Sequence, residues 1–105
     1  MLDKCKPIVF LFAAFFVTRM KNYQGGLWIG LKRDGKTDQS FMWEDHSHVQ
    51  LTDWAWKQPD RPSNKTSCVI ARGDTPTVGR WDDVDCGGKA GFICEIYNGK
   101  FQFLQ

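Results

Sequence analysis

Four cysteines in a chain of only 105 residues are the feature that most restricts the fold. A domain of this size buries roughly two-thirds of its unfolded surface, so disulfides would add stability that a small core does not supply. The cysteine spacings do not fit a zinc site, because there is no Cys-x-x-Cys pair and both histidines lie away from the cysteines. The sequence therefore predicts one small disulfide-bonded domain in an oxidising, secreted or extracellular environment.

The charge balance argues against a nucleic-acid partner. Fourteen basic and 12 acidic side chains leave a net charge of +2, and no run of like charges is present. No serine, cysteine or histidine stands in a nucleophile–base arrangement, so no enzyme is predicted. His46 and His48 lie in a polar turn and are interpreted as surface residues. The integrin-type tripeptide Arg72-Gly73-Asp74 lies at a predicted hairpin tip and is interpreted as a chance match.

Residues 1–19 form an apolar N-terminal segment with two interpretations. Lys4 and Lys6 precede the apolar run Ile8–Val17. This run is too short to span a bilayer, which takes about 20 residues. It suits the core of a signal peptide, although the small residues expected around a cleavage site are poorly placed. The alternative is a helix or strand packed within the domain, and the sequence leaves both interpretations open.

The remaining pattern predicts an α+β fold with short strands and long loops. A short helix is expected over residues 15–24, ended by Gly25-Gly26. Residues 53–64 contain two prolines, Pro59 and Pro62, and little periodicity, which predicts a long irregular loop. Apolar and β-branched runs predict strands at residues 27–31, 40–43, 68–71 and 91–96.

Two short segments bring oxygen donors together in the second half of the chain. Gln58-Pro59-Asp60 and Trp81-Asp82-Asp83 supply three carboxylates and one side-chain amide. Calcium takes several oxygen ligands, some of them charged, at about 2.3–2.6 Å. The alternative is a solvated acidic surface balanced by neighbouring cations. Those cations are Lys57, Arg61, Lys65 and Arg80.

An ordered set of segments across residues 20–96 resembles the C-type lectin-like domain. The resemblance implies small antiparallel sheets, a long loop that carries the ligand site, an abbreviated N-terminal part and a C-terminal tail at residues 97–105. It also places Trp28, Trp43, Trp54 and Trp81 in the core. The segments that carry it are Trp28-Ile29-Gly30-Leu31, Phe41-Met42-Trp43, Trp54, Gln58-Pro59-Asp60, Cys68-Val69, Gly79-Arg80-Trp81-Asp82-Asp83, Cys86 and Phe92-Ile93-Cys94-Glu95.

The same resemblance assigns a ligand site. It implies that Gln58, Asp60, Asp82 and Asp83 bind Ca²⁺ and that the first three also contact carbohydrate. Pro59 is expected to follow a cis peptide bond that turns its flanking side chains toward one ion. The amide-first order Gln-Pro-Asp is similar to galactose-type members of the family. Exchanging acid and amide exchanges hydrogen-bond donors and acceptors around the ion, which favours a different hydroxyl pair.

Three departures from the family pattern predict weak binding. Thr66 stands where a glutamate ligand is usual. Thr66 also completes the N-glycosylation sequon that begins at Asn64, and a glycan there would stand beside the ion site. Galactose-type members usually stack an aromatic ring on the sugar, and the loop after residue 56 lacks one. Trp56 is the nearest ring.

The resemblance also implies the disulfides. Cys68–Cys86 is expected, and closing its loop would contribute about 3 kcal/mol in the chain-entropy model. Cys94 would usually pair with a cysteine from the first half of the domain, and Cys5 is the candidate. This second pair requires that the N-terminal segment is retained.

The resulting hypothesis is an extracellular domain that binds galactose-like glycans through calcium. A calcium-independent domain that recognises a protein through the same loop is the first alternative, because Thr66 weakens the ion site. A fragment without independent function is the second, because the N-terminal half is abbreviated.

Overall fold

One six-stranded sheet organises the described part of the chain. The computed structural model describes residues 25–35, 38–74, 77–97 and 100–104. The strands are β1 (Leu27–Asp34), β2 (Asp38–Trp43), β3 (Ser67–Ala71), β4 (Trp81–Val84), β5 (Gly91–Tyr97) and β6 (Lys100–Leu104).

Strand β1 lies at the centre of this sheet. The strand order is β4-β3-β1-β5-β6, and β2 also pairs with β1. One edge of β1 pairs with β3, while the other is shared between β5 at Leu27 and Trp28 and β2 from Leu31 onward. The β1–β5 pairing is parallel and the other pairings are antiparallel. The antiparallel sheet structure that the resemblance implied is therefore confirmed, and one parallel pairing makes the sheet mixed.

The sheet half of the α+β prediction is confirmed, whereas its helical half is not. No helix occurs among the residues that the structure describes, and none of the described elements is a helix able to cross a membrane. The helix predicted over residues 15–24 lies outside the described residues, as do residues 1–19 with Cys5. The proposed Cys5–Cys94 pair consequently stays a prediction.

Two strands are absent from the sequence prediction. The acidic segment was not among the predicted strands, yet Trp81–Val84 forms β4 and pairs with β3. Consecutive aspartates disfavour strands by propensity, and tertiary pairing overrides that preference here. Residues 97–105, expected as a tail, include β6, which pairs with β5.

The core combines aliphatic residues of β1 and β3 with tryptophans from other elements. Trp43 and Trp81 are buried, and Trp54 is partly buried against the same cluster. Trp81 makes edge-to-face contacts with both other rings, each at a centroid distance of 5.7 Å, an arrangement that aromatic pairs favour. The prediction of core tryptophans is confirmed for these, whereas Trp28 is only partly buried. The buried aliphatic members are Leu27, Ile29, Leu31, Val69, Ala71 and Ile93.

The predicted Cys68–Cys86 disulfide is present, with the two Cα atoms 4.9 Å apart. Cys68 belongs to β3, and Cys86 follows the end of β4. The bond therefore ties the two strands that border the ligand loop.

The predicted long irregular loop connects β2 to β3 and is hydrogen-bonded to β4. The Trp81 amide donates to the Asp53 carbonyl at 2.9 Å, and the Ala55 amide donates to the Trp81 carbonyl at 2.8 Å. These bonds fix the start of the loop beside the first residue of β4. Asp60, farther along the loop, reaches the acidic end of that strand, where its amide donates to Asp83.

Arg33 of β1 stabilises the same loop through hydrogen bonds to its backbone. Its side chain is 6% exposed, and Nη2 donates to the carbonyls of Arg61 and Pro62 at 3.1 and 2.9 Å. Nη2 also contacts Ser67 Oγ at 3.2 Å, and the guanidinium lies 4.8 Å from the centre of the Phe41 ring. Bonds from a charged donor are stronger than neutral ones, so Arg33 fixes the backbone that directly follows Asp60.

We expect Arg33→Met to loosen the ligand loop. The substitution keeps an apolar stem but leaves the Arg61 and Pro62 carbonyls without their donor, which should lower the free energy of unfolding by about 1–3 kcal/mol. Hydrogen exchange measured by NMR should show faster exchange at the Asp60 and Arg61 amides. Lys32→Met is the control, because Lys32 is adjacent, half-exposed and paired with Glu44. Unchanged protection of the two amides in Arg33→Met would contradict this role.

Candidate calcium and ligand site

Three carboxylates meet where the β2–β3 loop contacts β4. One oxygen from each of Asp60, Asp82 and Asp83 lies within 4.8 Å of the others. Asp60 comes from the loop and is exposed, whereas Asp82 and Asp83 are successive residues of β4. The structure therefore brings together the three acids that the sequence predicted as ligands.

Asp83 is the most constrained member of this cluster. Its side chain is 2% exposed, because alternate residues of β4 face inward and Trp81 and Asp83 share that face. Oδ1 accepts the Asp60 amide at 2.8 Å, and Oδ2 accepts the Arg61 amide at 2.9 Å. A buried carboxylate requires such donors. Asp83 thus satisfies its own charge while holding Asp60 beside it.

Asp82 has a cationic partner that the sequence analysis did not identify. Arg72 donates from Nη2 at 2.8 Å and from Nε at 3.2 Å, and both bonds end on Asp82 Oδ2. Both side chains are partly buried, at 27% exposed for Arg72 and 20% for Asp82. The sequence carries no signal for this pair, because it depends on the pairing of β3 with β4, which sets Ile70 opposite Asp82 and brings Arg72 near it.

Gln58 carries a buried side-chain oxygen. Among the residues that the structure describes, its Oε1 accepts no hydrogen bond, a situation that is costly unless a ligand, ion or water completes it. The Gln58–Pro59 peptide bond is cis, as the resemblance implied, and Lys57 before it has φ 66°. The backbone therefore turns sharply at the residue that supplies this acceptor.

A cation lies beside the position where the family usually has a glutamate. Thr66 is exposed, and its carbonyl accepts a long contact of 3.4 Å from Arg61 Nη2. Arg61 Nε donates to Ser67 Oγ at 3.1 Å. Thr66 also lines a shallow cleft of about 320 Å³ with Lys32, Arg33 and Asp34. The site therefore lacks a carboxylate at this position.

The donors that are present suit calcium better than a softer metal. The three carboxylates form a hard, anionic, all-oxygen set, and Gln58 carries a further oxygen acceptor on the loop that supplies Asp60. Neither histidine of the described turn joins it: His46 and His48 are exposed. Between them, Ser47 donates from its hydroxyl and its amide to Asp45, and these bonds lower the pKa of that carboxyl.

The structure also shows how accessible two other sequence motifs are. Arg72-Gly73-Asp74 is not presented as a free tripeptide, because the Arg72 guanidinium is bound to Asp82 and Gly73 is buried. Asn64 is exposed, while its backbone lies so close to Gly35 that a Cβ at that glycine would collide with it. The sequon is therefore held at the end of β1 with its side chain accessible.

Comparison with known proteins identifies the family. The family model for the lectin C-type domain matches residues 12–96. An alpha-N-acetylgalactosamine-specific lectin of Patiria pectinifera is 39% identical over 72 residues, which cover 69% of this chain and 42% of that protein. The human low affinity immunoglobulin epsilon Fc receptor is 37% identical, covering 76% and 23%. C-type lectin BiL of Bothrops insularis is 35% identical, covering 78% and 51%.

The matched region of this chain spans between about a quarter and a half of the length of these three relatives. It includes the central strand, the ligand loop, the disulfide and the acidic strand described above. The agreement between the family model and this architecture shows that the chain belongs to the C-type lectin domain family.

Proposed function

We propose that this domain binds carbohydrate through a calcium ion held by Gln58, Asp60, Asp82 and Asp83. The observation that carries the proposal is the convergence of a loop carboxylate with two carboxylates of β4, within 4.8 Å of one another. Like charges held this close repel one another unless a cation lies among them. The buried, unpartnered Oε1 of Gln58 supplies a further acceptor on the same loop.

Three of the four proposed ligands are oriented by backbone hydrogen bonds. Asp83 is positioned by two backbone amides, and Asp60 is positioned because its own amide is one of them. Gln58 is fixed by the bond from its amide to the Ala55 carbonyl at 2.9 Å. A calcium ion bound to these oxygens would supply open coordination positions for two hydroxyl groups of a sugar. Gln58, Asp60 and Asp82 would hydrogen-bond those hydroxyls.

Galactose-type sugars are the proposed ligands. The support is the amide-first order Gln58-Pro59-Asp60, together with the relative named for its specificity toward alpha-N-acetylgalactosamine. An amide donates and accepts hydrogen bonds, whereas a carboxylate only accepts. The order of the two groups around the ion therefore decides which hydroxyl pair is matched.

Calcium binding should depend on Asp60. Asp60→Asn removes one charge from the cluster and leaves the two backbone bonds to Asp83 in place, so isothermal titration should show calcium affinity falling about tenfold. For the unaltered chain we expect a dissociation constant on the order of 10⁻³ M, as in extracellular calcium modules. Binding of N-acetylgalactosamine should disappear in chelator.

The matched control for this experiment is Asp74→Asn. Asp74 is an exposed carboxylate on the β3–β4 hairpin, and it does not belong to the acidic cluster. The Asp74→Asn substitution should leave the affinities for calcium and for the sugar unchanged. An unaltered chain that binds no calcium at millimolar concentration, or that binds the sugar in chelator, would refute the proposal.

Trp56 is the aromatic surface available to a sugar at this site. Its side chain is 83% exposed, and it precedes Gln58 by two residues. The Lys57 ammonium lies 4.5 Å from the ring centre, which leaves the opposite face for the apolar side of a galactose-type ring. An exposed indole ring of this kind gains binding energy when a ligand covers it.

Trp56→Ala should therefore weaken sugar binding without weakening calcium binding. We expect the affinity for N-acetylgalactosamine to fall about five- to tenfold, the equivalent of about 1 kcal/mol of aromatic contact. Leu51→Ala is the control, because Leu51 is another exposed apolar side chain of the same loop. Equal sugar affinity in the two variants would exclude Trp56 as the stacking surface.

The departures from the family pattern at Thr66 and Asn64 predict weak ligand binding at this site. Without a carboxylate at Thr66, the calcium ion would have one charged ligand fewer and bind weakly. N-glycosylation at Asn64 is proposed as part of the same assignment, since the side chain is exposed and the sequon is complete. The proposed extracellular location follows from the Cys68–Cys86 disulfide.

A calcium-independent interaction with a protein is the second candidate function. It is favoured by the existing Arg72–Asp82 ion pair, which occupies an oxygen that an ion would otherwise use. One relative is named as a receptor for an immunoglobulin Fc region. Binding of a protein ligand that is unaffected by chelator would favour this candidate over the first.

A further inference from the structure

We propose that Arg72 competes with calcium for Asp82 and thereby sets the calcium affinity of the site. The inference rests on the proposed function and concerns its regulation. Arg72 would act on the ion through Asp82 without touching the ion itself. It is an affinity-determining residue that the sequence alone did not reveal.

The competition follows from the atoms involved. Both Nε and Nη2 of Arg72 donate to Oδ2 of Asp82, at 3.2 and 2.8 Å. A charged donor on a carboxylate oxygen withdraws the electron density that a cation requires. One oxygen of Asp82 is therefore committed to Arg72, and the formal charge of the three-acid cluster is reduced from −3 to −2.

The hairpin between β3 and β4 holds Arg72 in this position. The Arg72 amide donates to the Arg80 carbonyl at 2.8 Å, and the Gly79 amide donates to the Arg72 carbonyl at 2.7 Å. Because Arg72 is hydrogen-bonded through its backbone to Gly79 and Arg80 at the other end of the hairpin, the backbone that carries the guanidinium is fixed. Both charged groups are also partly withdrawn from water, so their attraction is screened less than that of an exposed pair.

Whether calcium affinity increases or decreases when Arg72 is replaced distinguishes competition for Asp82 from a purely orienting role. A residue that only orients a metal ligand strengthens binding, and its loss weakens metal affinity about 10- to 100-fold. A residue that neutralises a ligand weakens binding, because calcium affinity increases with the charge of the ligand set. Arg72→Gln, which removes the charge and retains a polar side chain, should therefore raise calcium affinity about tenfold.

Arg80→Gln is the matched control. Arg80 lies on the same hairpin and pairs at 2.7 Å with Asp53, an acid that is not a member of the cluster, and it is more than half exposed. Its loss changes the net charge of the chain by the same amount. Calcium affinity in Arg80→Gln should remain within about twofold of the unaltered chain, since screening weakens distant exposed charges.

The test measures calcium affinity of all three chains by isothermal titration and follows the Arg72 Nε–H resonance of the unaltered chain by NMR during a calcium titration. Tighter binding in Arg72→Gln alone, with a shift of that resonance, supports the proposal. Equal tightening in both variants, weaker binding in Arg72→Gln, or a resonance unmoved at calcium saturation overturns it and leaves the calcium site standing. The NMR measurement keeps the proposal testable if Arg72→Gln does not fold.

Two further outcomes separate the inference from the proposed function. Calcium binding by Arg72→Gln, together with none by the unaltered chain, would support the competition and contradict calcium-dependent activity of the natural sequence. Absence of binding in every chain would overturn both.

Discussion

The buried carboxylate of Asp83 is the interaction on which the arrangement of the site depends. It belongs to β4, a strand paired to the rest of the sheet through β3, and it accepts the amides of Asp60 and Arg61 from an otherwise irregular loop. A buried charge without such donors would be costly. The requirement of Asp83 for donors therefore positions the loop, and the positioned loop in turn brings Asp60 into the acidic cluster.

Two arginines, Arg33 of β1 and Arg72 directly after β3, have opposite effects on this cluster. Arg33 binds the loop carbonyls just beyond Asp60 from below, without contacting an acid in any hydrogen bond of the described residues. It stabilises the loop and leaves the negative charge of the cluster intact. Arg72 binds Asp82 directly and reduces that charge. Arg33 thus stabilises the loop of the site, while Arg72 lowers, in our proposal, the affinity of the site for calcium.

The resemblance to the family named residues of the site, whereas it did not reveal their surroundings. Gln58, Asp60, Asp82 and Asp83 stay predicted ligands, of which the structure places the three acids together. The Cys68–Cys86 bond that the resemblance implied is present. Strand β4 was missed since its two aspartates oppose strand propensity and only pairing with β3 makes it extended. Without that strand, neither the burial of Asp83 nor the approach of Arg72 to Asp82 could be derived, as both arise from contacts between distant segments.

The most direct test of this account is a crystal structure of the chain grown with millimolar calcium. The account predicts one calcium ion bound by Gln58 Oε1 and by oxygens of Asp60, Asp82 and Asp83, at about 2.3–2.6 Å. The Asp60 and Arg61 amides should remain on Asp83. An acidic cluster that stays free of calcium, with Arg72 still on Asp82, would contradict it, as would an ion bound by other residues.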